Sequence, residues 1–156
     1  MLLALEAGIV LLGGASMGAL RAAETFAYGM QGVGTVFHWY VTGRINRDDD
    51  VSVLFYREGN RYVVLNVPMV QVLWTAQRAR RQQLWPPDMA SAVVRQARRL
   101  HWTDRTWNTI GDSVGMPDLA DHGIVRDPRS NIKALDSLKV LEEVTAALCK
   151  GSDHGF

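Results

Sequence analysis

The apolar positions of this chain change period several times, and each change marks a new element. Residues 2–7 read as the end of a helix, with Gly8 as its C-cap. Residues 9–12 form a short unbroken apolar run, which predicts a buried strand. A helix-forming stretch over 17–27 follows and stops near Tyr28-Gly29. Val36, Phe37, Tyr40 and Val41 then recur at helical spacing, and Gly43 closes that segment. Residues 51–56 and 61–67 are rich in β-branched and aromatic side chains, and the polar Arg57-Glu58-Gly59-Asn60 between them predicts a hairpin. From Pro68 the period is helical: a helix over 69–84, a break at Pro86-Pro87, and a second helix from Asp88 to about Leu100. Thr103 opens a third, with Trp107 and Ile110 inward, and Met116-Pro117-Asp118 a short fourth. Asn131 caps the last, whose apolar stripe reads Ile132, Leu135, Leu138, Leu141, Val144.

This order predicts an α/β fold: a small parallel-type sheet with flanking helices on the N-terminal side, a β-hairpin, and a C-terminal helical bundle or cap. The expected division is an α/β core over 1–67, a helical region over 68–149 packed on it, and a frayed tail over 150–156. With 47% hydrophobic and 21% charged residues, the 156-residue chain can build a core. A net charge of +1 exerts no general pull on nucleic acid. The single cysteine, Cys149, excludes an internal disulfide and fits a reducing compartment, so a cytoplasmic location is expected. No CxxC or Cys/His cluster points to a metal, and no cofactor is called for. The apolar start carries Glu6, lacks basic residues and falls short of the roughly 20 apolar residues of a membrane span.

The chemistry concentrates at Gly14-Ala15-Ser16-Met17-Gly18-Ala19-Leu20-Arg21-Ala22-Ala23-Glu24. Strand, glycine turn and helix follow one another here. The spacing Gly14-x-Ser16-x-Gly18 fits a serine carried on a sharp strand-to-helix turn. The N–H groups of Met17 and Gly18 are the natural donors to an anion or oxyanion at the helix start. The plainer reading makes Ser16 an N-cap and the small residues packing aids. Arg21 and Glu24, three apart on one helix face, form either a working pair or an ordinary surface ion pair.

Other candidates are weaker. Asp48-Asp49-Asp50 suits a hard cation by residue type, but neighbours on an extended segment point apart, so a solvated loop or a rim acid is the expectation. His38 has the chemistry of a general base, if the fold returns it to Ser16. Arg78, Arg80, Arg81, Arg95, Arg98, Arg99 and Arg105, interleaved with Trp85 and Trp102, offer a basic face for an acidic partner or simply a solvated helix surface.

The residues from Gly14 to Glu24, then Gly29-Met30-x-Gly32-Val33-Gly34, Tyr40-x-x-Gly43 and Asp48-Asp49-Asp50-Val51, resemble the TfuA-like family. The resemblance is close over residues 2–53 and loose beyond. It implies action beside a YcaO enzyme that converts peptide amides to thioamides in a ribosomal peptide or protein. The TfuA-like partner is implicated in releasing sulfide from the thiocarboxylate of a ubiquitin-like, ThiS-type sulfur carrier. Ser16, Arg21 and Glu24 are then the expected catalytic residues, with Gly14, Met17 and Gly18 as the anion-binding turn. The resemblance also implies an upstream α/β segment before this chain's start, with self-association to homo-oligomers as one way of covering apolar surface left bare. Where the family's acidic run tends to end in Glu, this chain has Asp50. A non-catalytic adaptor that promotes the YcaO enzyme is the alternative, and a simple esterase a third.

Overall fold

The computed structural model describes residues 1–152 and is a mixed α/β structure. The expected tail over 150–156 falls largely outside them: the last helix is described to Ser152, and 153–156 lie beyond. The chain groups into two compact units, Met1–Asn46 with the segment from Ile132 onward, and Arg47–Asn131. The hairpin therefore groups with the following helices in the second unit.

In the first unit, α1 (Leu2–Glu6) leads through Gly8 to β1 (Leu12–Gly14). The strand starts later than the apolar run predicts: Ile9 and Val10 are exposed, and no element among the described residues covers them. After the turn at Ala15 and Ser16 comes α2 (Met17–Thr25), prolonged by a 3-10 turn to Tyr28. Next is β2 (Gln31–Val33), a strand the sequence pattern hides, and then α3 (Gly34–Val41). β1 and β2 pair in parallel, with Gly13 opposite Gly32 and Gly14 opposite Val33. α2 presses Ala19 and Ala22 inward, and Gly13 has no side chain where α2 passes: an added Cβ would meet the Gly18 carbonyl. Val36, Trp39, Tyr40, Ile45 and Ile132 complete this core.

α8 (Ile132–Ser152) belongs to the same unit, and only the start of the predicted apolar stripe faces inward: Ile132 is buried and Leu135 half-buried. Leu138, Leu141 and Val144 are exposed. The inward positions are Ile132 and Asp136, both fully buried, followed by half-buried Val140. Asp136 turns inward because α3 needs an acceptor there.

The second unit opens with a 3-10 turn over Asp48–Asp50 and the antiparallel hairpin β3 (Phe55–Glu58) and β4 (Arg61–Val64). Gly59, at φ +61°, makes its two-residue turn with Asn60. Buried Asn66 locks the hairpin root: its side chain accepts from the Leu54 N–H at 2.7 Å and donates to the Trp102 carbonyl at 2.9 Å. α4 (Met69–Arg81) and α5 (Pro87–Arg99) pack together, and α6 (Trp107–Val114) packs on α5. Thr106, not Thr103, caps α6 through the Thr109 N–H. A short α7 (Gly123–Arg126) closes the set. Met69, Val70, Val72, Trp85, Val93, Ile110 and Leu119 form a dense core. No helix among the described residues is long and apolar enough to cross a membrane.

Candidate functional site

The candidate site lies where two strand-to-helix turns emerge from neighbouring parallel strands, the usual place for ligands in such sheets. β1 runs through Gly14 into Ala15, which is buried and held at φ +66°. That left-handed value is costly for a residue with a Cβ. Ser16 itself has φ −139°, so the backbone strain sits one residue before the serine. The Ser16 N–H turns back to the Gly14 carbonyl at 2.8 Å. Its own carbonyl takes the first helical bond, from Ala19 N–H at 2.9 Å. The Ser16 side chain makes no capping bond. Half-buried Ser16 thus heads a nine-residue helix whose first turn, Met17 and Gly18, has N–H groups without intrahelical acceptors.

Met17, Arg21 and Glu24 form an exposed stripe of α2, opposite Ala19 and Ala22. Arg21 donates to Glu24 in an ion pair on that surface. Arg21 stands roughly 6 Å along the axis from Met17, on the same face. His38 is exposed in the last turn of α3, about 6 Å along that helix from Gly34. Beside the β2–α3 turn, a cleft of about 480 Å³ lies between the sheet and α8, bounded by Leu12, Gln31, Val33 and Gly34 and by Lys139, Glu142 and Glu143.

The three adjacent aspartates belong to the other unit and are bound up in its structure. Arg47 grips Asp49 in a two-pronged pair at 2.8 and 2.7 Å. Asp50 is buried and takes bonds from Arg98 at 3.2 Å and the Arg47 N–H at 3.3 Å. Among the described residues, no three His, Cys, Asp or Glu groups come together in a way that holds a metal.

The basic stretch is likewise partly internal. Arg78 is buried and donates to Ser130 Oγ at 2.6 Å and to Asp127 at 2.8 Å. Bonds from Arg129 first, then Arg78, hold the Asp127 carboxyl far below the usual carboxylate range. Arg105 is buried with its Nε donating to the Ala97 carbonyl, and burial lowers its pKa against the opposing pull of Asp49 and Asp50. Of the seven arginines, Arg80, Arg81, Arg95 and Arg99 are left as an exposed basic surface without a part in these pairs.

The sequence reading missed Asp136 and Asn66. Both are ordinary polar residues by type, and their partners lie far along the chain. A family model described as TfuA-like protein matches residues 1–106, which include both glycine turns, the hairpin, α4 and α5. No curated protein matches the chain.

Proposed function

Since the chain belongs to the TfuA-like family, we propose that it releases sulfide from a thiocarboxylated, ThiS-type sulfur carrier at the β1–α2 turn and delivers it to a YcaO enzyme. Membership supports, at a coarse level, an accessory role in thioamide formation, with a YcaO enzyme as the general kind of partner. The finer reading rests on one observation: half-buried Ser16 heads a helix at the end of a parallel strand, in a tight turn between Gly14 and Gly18.

The carrier's C-terminus presents an acyl carbon bonded to sulfur. The Ser16 hydroxyl, or a water beside it, attacks that carbon. The C–S bond breaks, and sulfur leaves as sulfide. With Ser16 as nucleophile, an ester remains, and water then frees the carrier as its carboxylate. The net reaction is thiocarboxylate plus water giving carboxylate plus H₂S. Met17 and Gly18 N–H groups receive the oxyanion, and the helix dipole favours negative charge there. Arg21 swings from Glu24 to pair with the incoming anion. The exposed Arg21–Glu24 bridge is weak enough for such an exchange.

The test is sulfide release from a thiocarboxylated carrier by the purified protein, without YcaO enzyme or ATP. Ser16→Ala is expected to lower the rate at least ~100-fold. Arg21→Ala is expected to raise KM about tenfold with little change in Tm. Normal rates in both variants would remove the turn from the chemistry. The adaptor reading draws on the exposed Arg80, Arg81, Arg95 and Arg99. It requires that sulfide appear only when the YcaO enzyme is present, and that charge reversal on α4 and α5 abolish docking. Self-association through the bare leucines of α8 is a separate proposal, which sedimentation of the intact chain as a monomer would refute.

A further inference from the structure

Resting on the reading above, we infer that Asp136 is a positioning residue for the Ser16 turn, with α8 acting as the strut that carries its effect. Asp136 is completely buried, and lies outside the stretch that the family model matches. Its Oδ2 accepts the Val36 N–H at 2.7 Å, across 100 residues of chain. That N–H belongs to the first turn of α3, where helical N–H groups lack acceptors. The other oxygen takes Lys139 Nζ at 3.2 Å, so the buried charge has both a cap to make and a counter-ion.

The carboxylate also shapes the turn it caps. Gly34 stands at φ +94°, and a Cβ built on it would lie 2.6 Å from Asp136 Oδ1 and 2.7 Å from Oδ2. Only a glycine lets the carboxylate approach that closely. One helical turn further along α8 is Val140. Its Cγ2 would lie 2.6 Å from a Cβ placed on Gly14. Asp136 and Val140 are i and i+4, about 6 Å apart along the helix. Neighbouring strands lie about 4.8 Å apart. One ridge of α8 therefore seats on the ends of both strands: Asp136 on the β2–α3 turn, Val140 on Gly14, two residues before Ser16. Gly14 and Val33 are register partners, so the two seats are joined through the sheet as well as through α8.

The experiment compares the intact protein with Asp136→Asn and Asp136→Ala in two readouts. The first is kcat and KM for sulfide release. The second is amide hydrogen exchange at residues 34–36 and 14–18. Asn keeps an acceptor for Val36 but loses the charge that holds Lys139. The expected result is a fall in kcat of about tenfold for Asn and more for Ala, with KM unchanged, since a small misplacement of reacting groups is costly. Faster exchange is expected at 14–18 as well as at 34–36. Unchanged kcat, with faster exchange confined to 34–36, would overturn the proposal and leave Asp136 a local helix cap. If the unaltered protein releases no sulfide, the hydrolase reading fails, and exchange at 14–18 still decides whether the strut exists. If both variants fail to fold, Val140→Ala carries the same readouts with the α3 cap intact: slowed kcat and loosened 14–18 support the strut, and no change in either overturns it.

Discussion

In the unit Arg47–Asn131, charged side chains enter the interior in company. Arg78 meets Ser130 and Asp127, and Asp50 meets Arg98. Around them Met69, Val72, Trp85, Val93 and Ile110 fill a continuous core. The other unit is built differently. Its sheet has two strands of three residues, two of them glycines in β1, and Leu2, Leu3, Ile9, Val10, Leu138 and Leu141 face outward. Its buried carboxylate, Asp136, serves a helix start. The contrast separates two uses of polar groups. In the helical unit the pairs Arg78–Asp127 and Arg98–Asp50 fix the structure from within. In the sheet unit the buried carboxylate fixes the start of a helix at the end of a strand.

The contrast fails if the two units respond alike to mutation. Trp85 is 2% exposed at the centre of the helical unit. Trp85→Ala should lower stability by about 3–5 kcal/mol in denaturant unfolding. The next effect is one of pH. Because Arg129 and Arg78 hold the Asp127 carboxyl below its unfolded value, the carboxylate stabilises the fold fully above about pH 4. That contribution is lost as the pH falls through the lowered native pKa. Asp127→Asn should therefore flatten the acid side of the stability curve and lower stability at neutral pH, read from thermal melts across pH. The smallest effect belongs to α8: Leu141→Ala, at an exposed position, should change the stability of the monomer by no more than about 0.5 kcal/mol. A loss as large as that of Trp85 would mean the sheet unit is closed by contacts its exposed surface does not reveal.

How much of this was legible in the chain depended on how local the cause was. The hairpin announces itself through β-branched and aromatic runs, but its first strand lies later than expected, at Phe55–Glu58, which takes Arg57 and Glu58 out of the turn and leaves Gly59-Asn60, and its second ends at Val64. The Ser16 turn is visible in its small residues, but Ala15 at φ +66° is not, since alanine is not the residue one expects there. β2 is hidden because Gln31-Gly32-Val33 is too short to show an alternation. On α8 the leucine spacing suggested a core stripe, yet the buried face contains Asp136. Its reason for being buried is a backbone N–H a hundred residues away, which no periodicity reports. The arginine-rich segment shows the same limit: composition does not tell Arg78, paired inside, from Arg80, exposed two residues on and on the opposite side of α4.

The most direct test of the central claim is sulfide release from a thiocarboxylated ThiS-type carrier by this chain alone, set beside Ser16→Ala. The account expects release by the unaltered protein and a loss of at least ~100-fold in the variant, with the same melting temperature. Equal release by both proteins, or none from either when both are folded, would contradict it.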